Sequence, residues 1–210
     1  MKPSLLLFPV ILLSGQVLAA PGDFESGVRA FFEADMTKAL TAWDRQIADA
    51  PDEEPQHWQR GLALYYARKF QEGREQFEAH QKVNPQDVEN AVWHFLCVAR
   101  LENPEAARKT FIPITADPRV PMKEIHALFA GKGTEAAVLK AADAAADPKD
   151  LRNQRCYAHL YLGLYHEALG DTTIANEHLM KAAGEFKMNH YMGRVAQVHV
   201  KLRGWDVAEQ

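Results

Sequence analysis

Nine histidines are the residues of this sequence whose chemistry best suits a metal ion: His57, His80, His94, His126, His159, His166, His178, His190 and His199. Two histidines on one helix share an ion when they stand three or four residues apart, because that spacing puts both imidazoles on one face. No pair among the nine has this spacing. His159 and His166 are seven residues apart, a rise of roughly 10 Å that is too long for one ion. We therefore expect no metal ligands and no cofactor, and a site assembled from different helices stays open as the alternative.

Residues for other catalytic chemistry are scarce. The stretch His166–Gly170 begins like the zinc-binding helix of a metalloprotease, but Gly170 stands where the second histidine is required. Only three serines occur, and the sequence has no serine elbow, glycine-rich phosphate loop or nucleotide-binding lysine motif. The acidic run Asp52–Glu54 is typical of a solvated turn. The sequence therefore predicts a protein that is not an enzyme.

Cysteine chemistry is limited to Cys97 and Cys156, which are 59 residues apart. Two cysteines are too few for a disulfide scaffold or a four-thiolate zinc site. We expect both to be small buried apolar residues. A disulfide between them stays open, because an exported protein meets an oxidising space.

Composition and charge narrow the class of protein. The 210 residues are 47% hydrophobic and 25% charged, which is typical of a globular protein and excludes a disordered, fibrous or multi-span membrane chain. The 24 basic and 28 acidic residues give a net charge of -4. Since no strong positive field is present, we expect no nucleic-acid partner.

Residues 1–19 are typical of a secretory signal peptide. Lys2 provides the positive charge, Leu5–Leu13 is an apolar run of nine residues, and Val17 and Ala19 are small residues that favour cleavage after Ala19. The run is far shorter than the ~20 apolar residues that cross a bilayer. We expect an exported protein, periplasmic or secreted, with no integral membrane segment after cleavage.

The rest of the chain follows a period of 34 residues. Small residues, a bulky apolar residue and a proline recur at offsets 0, 12, 16 and 24: Gly27, Ala39, Trp43 and Pro51, then Gly61, Gly73, Phe77 and Pro85, then Gly163, Ala175 and Leu179 without the proline. A weaker copy runs from Val88, with Phe95 at the glycine position. Small residues let two antiparallel helices approach closely, the bulky residue fills the space between pairs, and the proline ends the second helix.

These stretches resemble the tetratricopeptide repeat (TPR) family. The resemblance rests on Gly27–Pro51, on Trp58–Tyr66 with Phe70, Phe77 and Pro85, and on Tyr161–Tyr165 with Gly170, Ala175 and Ala182. It implies an all-α fold, a TPR-like right-handed superhelix of antiparallel helix pairs. As an exported chain of this kind, the sequence is also similar to the periplasmic NlpI-type TPR proteins, although it lacks the cysteine that carries their lipid.

The resemblance implies one TPR-like α-solenoid domain over residues 20–210. Its repeats are expected at about 20–53, 54–87, 88–115 (degenerate) and 156–187, with an irregular helical hairpin over 120–147, where the period fails. Apolar residues from Tyr191 to Leu202 at helical spacing predict a capping helix over about 189–203 that covers the last pair. A domain boundary at Pro148–Asp150 is the alternative.

The first helix of each TPR pair lines a concave face, and the resemblance implies that a partner binds there. The residues at those positions are Phe31, Phe32, Trp58, Leu62, Tyr65, Tyr66, Leu96, Arg100 and Leu164. Trp58 and Leu62 occupy places where a TPR carboxylate clamp needs Lys and Asn, so we do not expect such a clamp. Two explanations of the aromatic face stay open. Either the closing helix or the hairpin fills it, or it is an open groove for an apolar helix or extended peptide.

The function expected from these patterns is that of an exported protein–protein interaction module or scaffold. A protein or peptide segment, of unknown identity, binds the concave face. The alternative is an envelope enzyme or metal-binding protein whose site is assembled from scattered histidines and acidic residues.

Overall fold

The computed structural model describes residues 22–205, so the signal peptide expected at residues 1–19 lies outside the described residues. Within residues 22–205 the chain is 73% helical and contains no strand. The prediction of an all-α protein is confirmed. No helix in this range is both long enough and apolar enough to cross a membrane.

Eleven α-helices and one 3₁₀ helix make up residues 22–205: α1 (Gly22–Phe32), α2 (Met36–Asp49), the 3₁₀ helix (Pro51–Gln56), α3 (Trp58–Tyr66), α4 (Phe70–Gln81), α5 (Val88–Leu101), α6 (Pro104–Lys109), α7 (Met122–Phe129), α8 (Glu135–Ala142), α9 (Pro148–Leu169), α10 (Thr172–Ala183) and α11 (Tyr191–Arg203). Six of the helices begin after a residue whose side chain accepts a hydrogen bond from a backbone N–H of the first turn: Asp35, Asp87, Asn103, Thr134, Asp147 and Asp171. These N-caps satisfy donors that have no partner inside the helix.

Three helix pairs pack through the same small-to-large contact. A glycine of the first helix faces the residue sixteen positions later on the second: Gly27 faces Trp43, Gly61 faces Phe77 and Gly163 faces Leu179. A Cβ atom on any of these glycines would lie 2.4 to 2.6 Å from that side chain, closer than real contacts allow. The pairs α1–α2, α3–α4 and α9–α10 therefore owe their close approach to glycine at offset 0 of the period.

The backbone repeats the period at the helix ends. Four of the five positive φ angles in residues 22–205, at Ala34, Arg68, Gly170 and Gly204, are separated by one, three and one periods of 34 residues. The fifth, at Gly131, follows α7 and lies outside the period. After each of them, a backbone N–H bonds to the carbonyl five residues earlier, as from Lys69 to Leu64. This pattern is the Schellman motif, which satisfies the last carbonyls of a helix. The helices α1, α3, α9 and α11 thus end in the same way.

The third unit departs from this geometry. Phe95 stands at the glycine position, and its ring packs edge-on against Phe111 and Phe129 with centroids 5.8 and 5.1 Å apart. The second helix of this unit, α6, has only six residues. The loop that follows is fixed to α5 by Arg119, which pairs with Asp87 and Glu89. The short helices α7 and α8 come next and pack against α9.

One apolar core runs through the described residues, from α1 to α11. Helix α11 packs on α9 and α10 and also contacts α1, so the last helix reaches the first. Lys201 of α11 donates a hydrogen bond to the backbone carbonyl of Glu33, just beyond α1, at 3.0 Å. Cys97 and Cys156 are both buried, and neither forms a disulfide.

Candidate functional site

The nine residues expected on the concave face lie on the first helix of each pair, and most are inside the protein. Five of them are at most 2% exposed: Phe31, Leu62, Tyr65, Leu96 and Leu164. Phe32, Trp58 and Tyr66 are half-buried, and Arg100 is exposed. The aromatic part of this face is therefore part of the core.

Helix α11 covers the aromatic part of the concave face. The ring of Tyr191 lies 4.7 Å from that of Phe32 and 4.9 Å from that of Trp58, measured between centroids. The guanidinium of Arg194 sits 3.5 Å from the centre of the Phe32 ring. Of the two explanations left open by the sequence, the structure shows the filled face around Phe32 and Trp58, with the closing helix as the occupant.

A buried polar network fixes the far end of α11. The carboxylate of Glu167, on α9, accepts hydrogen bonds from Arg203 of α11 and, at 3.3 Å, from the hydroxyl of Tyr65. The hydroxyl of Tyr66 lies 3.1 Å from Nδ1 of His199. Burial alone would raise the pKa of Glu167, but the neighbouring His199 and the Arg203 guanidinium outweigh it and lower the pKa. Glu167 is therefore ionised and neutralises Arg203.

An arginine-lined cavity opens beside this network. We call it the arginine pocket; it has a volume of about 240 Å³ and is lined by Tyr65, Tyr66, Arg68, Phe70, Arg100, Leu202 and Arg203. Its three arginines come from separate places in the fold: the turn between α3 and α4, the end of α5 and the end of α11. The pocket includes three of the nine residues expected to bind a partner.

Two of the three guanidinium groups in the arginine pocket have no acidic partner among the described residues. Arg203 is paired with Glu167, but neither Arg68 nor Arg100 forms an ion pair with any carboxylate of residues 22–205. Arg100 instead lies over the Phe70 ring, 5.2 Å from its centroid. Guanidinium groups with free donors bind carboxylates bidentately. The arrangement is therefore suited to an acidic group.

A second cavity, of about 160 Å³, lies between Trp58, Trp93 and Met192, with Glu89 and Asp87 in its wall. Both carboxylates are already bound to Arg119, and Glu89 also accepts a hydrogen bond from Tyr161 at 2.8 Å. The charged groups of this cavity are therefore satisfied, whereas Nε1 of Trp93 and Oδ1 of Asn90, two residues of its wall, are buried without a hydrogen-bond partner.

Three histidines meet a glutamate on the opposite side of α9. We call Glu135, His159, His166 and His178 the histidine cluster. Nε2 of His166 lies 3.0 Å from Oε1 of Glu135, and Nδ1 of His159 lies 2.8 Å from Nδ1 of His178. Burial lowers the pKa of His178; burial and the neighbouring His178 lower that of His159 to about 4. Both rings are therefore neutral at pH 7, the form that can bind a metal ion.

Sequence reasoning missed several of these residues. Arg68 belongs to a turn, and Arg203 to the capping helix, so neither stood at a groove position of the TPR pattern. His178 was missed because it lies on α10, opposite the midpoint of the His159–His166 pair, and contacts both rings. Since α9 and α10 are antiparallel neighbours joined by a short turn, their pairing was the signal that could have found it.

Neither a family model nor a curated protein matches this chain.

Proposed function

We propose that this protein is an exported, TPR-like interaction module, periplasmic or secreted, that binds an acidic segment of a partner protein at the arginine pocket. In this proposal the helix pairs form a right-handed superhelix and the pocket is the open end of its concave face. The module has no catalysis of its own and no nucleic-acid partner.

The positive charge of the arginine pocket is the observation that carries the proposal. The chain as a whole has a net charge of -4, so two guanidinium groups that have no carboxylate partner among residues 22–205 stand out at one mouth. Tyr65 lines the pocket. Burial raises the pKa of its hydroxyl, which stays protonated and donates a hydrogen bond to Glu167. Local charge of one sign attracts the opposite charge on a partner and raises the rate of association.

The size of the pocket limits what binds. A volume of about 240 Å³ is below the range of roughly 300–1,000 Å³ typical of pockets that enclose a drug-sized ligand. One acidic side chain, or the carboxylate that ends a chain, therefore enters, and flanking residues lie on the surface. Phe70 and Leu202 provide an apolar wall for the methylene groups of that side chain.

The test is peptide binding to the mature protein, measured by fluorescence anisotropy with a labelled octaglutamate peptide and an octaserine peptide. We expect octaglutamate to bind and octaserine not to bind. The double variant Arg68→Gln/Arg100→Gln should bind octaglutamate at least about tenfold more weakly, because two charge-assisted bidentate contacts are lost.

The matched control removes the same two charges elsewhere. Arg29 and Lys132 are exposed, and Arg29→Gln/Lys132→Gln should bind as the wild type does. Equal loss in both double variants would assign the binding to net charge, and unchanged binding in the pocket variant would exclude the pocket; either result contradicts the proposal.

A further inference from the structure

The histidine cluster is separate from the arginine pocket. His166 and Glu167 are adjacent on α9, but Glu167 faces α3 and α11, whereas His166 faces Glu135 at the start of α8 and His178 on α10. Ligand atoms of Glu135, His166 and His178, one from each residue, all lie within 4.8 Å of one another. Among the described residues, no other group of three histidine, cysteine or acidic side chains comes this close.

We propose that Glu135, His166 and His178 bind a transition-metal ion of the zinc class, with His159 positioning His178. The inference does not depend on the function proposed for the arginine pocket.

His166 provides an observation independent of the clustering. Its side chain is only 9% exposed, and its Nε2 atom is buried without a hydrogen-bond partner of acceptable geometry, although Oε1 of Glu135 is 3.0 Å away. A buried polar atom that is left unsatisfied costs stability. A metal ion between the imidazole and the carboxylate supplies the partner that Nε2 lacks.

The contact between His159 and His178 can orient the His178 ring toward the ion. Their Nδ1 atoms are 2.8 Å apart, so one ring donates to the other. When His178 donates, its Nε2 keeps a free lone pair for the ion. Metal-bound histidines commonly donate their other ring nitrogen in this way, which fixes both tautomer and orientation. His159 is itself held by stacking on Phe186, with ring centroids 5.1 Å apart.

The donor set selects the class of ion. Two imidazoles and one carboxylate suit Zn²⁺ and neighbouring first-row ions, whereas Mg²⁺ and Ca²⁺ require mostly oxygen donors. Three protein ligands leave a fourth tetrahedral position for water or another small ligand. Zinc bonds of about 2.0–2.1 Å put tetrahedral ligand atoms roughly 3.3 Å apart, so the three groups move together by an ångström or so when the ion binds.

The experiment measures Zn²⁺ alone binding to the metal-stripped, tag-free mature protein, in competition with a chromophoric chelator. We expect one Zn²⁺ per chain, with a Kd below about 10 µM. Co²⁺ in place of Zn²⁺ should give the visible absorption of a four-coordinate nitrogen and oxygen site.

Glu135→Gln is the decisive variant, because the Glu135 side chain is 41% exposed and its replacement should not disturb folding. It should weaken Zn²⁺ binding at least about tenfold, as should His178→Gln. Glu177→Gln removes the same charge from an exposed residue next to His178 and should change the affinity less than about twofold.

His159→Phe tests the positioning role, since a phenylalanine keeps the stacking on Phe186 but loses the ring nitrogen. It should weaken Zn²⁺ binding about tenfold and alter the Co²⁺ spectrum, which packing alone would not change. Absence of Zn²⁺ binding by the wild type, or affinities that are the same in Glu135→Gln and Glu177→Gln, would overturn the proposal. Octaglutamate binding should be unaffected in all these variants. A failure of the zinc proposal is therefore distinguishable from a failure of the function proposed for the arginine pocket.

Discussion

At the scale of single residues, glycine sets the distance between paired helices. In α3 the missing side chain of Gly61 leaves room for the ring of Phe77, which is only 1% exposed. The same contact occurs at Gly27 and Gly163. A methyl group at any of these positions must displace a large buried side chain.

Gly61→Ala should therefore lower the free energy of unfolding by about 1–2 kcal/mol, because overpacking costs about 1–3 kcal/mol and alanine regains up to about 1 kcal/mol of helix propensity. Urea unfolding followed by circular dichroism measures the change.

Gly22→Ala is the control, since a Cβ at Gly22 meets no atom within 4 Å. It should not destabilise the protein. If Gly61→Ala instead proved as stable as Gly22→Ala, the close packing of α3 on α4 would not be what requires glycine.

The close approach of paired helices at the glycines was predictable at this scale, and the polar clusters were not. The period predicted that small residues such as Gly61 let paired helices approach and that Phe77 lies between helices. The structure adds that Phe77 packs directly on Gly61 of its own pair. Nothing in the spacing showed that Arg68 and Arg203 line one pocket, since that depends on where α11 lies. The seven-residue separation of His159 and His166 likewise concerns only α9, and it gives no information about His178 on the neighbouring α10.

At the scale of elements, α11 matters most to the site. Its apolar spacing predicted a helix near residues 189–203, and the helix runs from Tyr191 to Arg203. The sequence could not show which surface the helix covers, because an amphipathic face fits any apolar neighbour. In the structure it packs on α9 and α10 and also reaches the aromatic residues of α1 and α3.

Tyr191→Ala should lower the free energy of unfolding by about 2–4 kcal/mol, because the ring fills the space between Phe31, Phe32 and Trp58. It should also expose Trp58 and increase acrylamide quenching of tryptophan fluorescence. Both effects are measured on the purified mature protein.

Gln197 is exposed on the same helix, and Gln197→Ala should change neither stability nor quenching. Similar behaviour of the two variants would mean that α11 is not held on the concave face by Tyr191.

At the scale of the whole molecule, buried histidines couple folding to pH. His94 and His199 are at most 3% exposed, and burial lowers the pKa of both below the ordinary 6.5. The groups that face them act in opposite directions: Glu78 raises the pKa of His94 and Arg74 lowers it.

For His199, Glu167 of α9 raises the pKa, Arg203 of its own helix lowers it, and Tyr66 of α3 contacts Nδ1. Burial outweighs the carboxylate, and the folded protein keeps this imidazole neutral.

The free energy of unfolding should therefore fall as the pH is lowered from about 7 to 5. Below about 6.5 the unfolded chain binds protons that the folded chain does not, so stability decreases toward acid by up to about 1.4 kcal/mol per pH unit for each such histidine. Urea unfolding at pH 7.5, 6.5 and 5.5 measures the slope.

His199→Asn should reduce that slope, and the exposed His190→Asn should leave it unchanged. A slope that is the same in wild type and His199→Asn would contradict the role given to His199.

The all-α class was predictable for the whole molecule, because apolar residues recur at helical spacing and β-branched alternation is nearly absent. Its closure was one of two explanations that the sequence left open, because the aromatic face could be filled by the closing helix or hairpin or stay open for a partner. In a repeat protein each unit contacts its neighbours, whereas here the last helix contacts the first.

This closure has a consequence for synthesis. A growing chain that has made only the first two helix pairs carries Phe31, Phe32 and Trp58 without their cover, because Tyr191 is translated much later. Exposed aromatic surface on an incomplete chain promotes aggregation. This part of the core is completed only after α11 has left the ribosome, so α1 and α3 must stay protected from other chains until then.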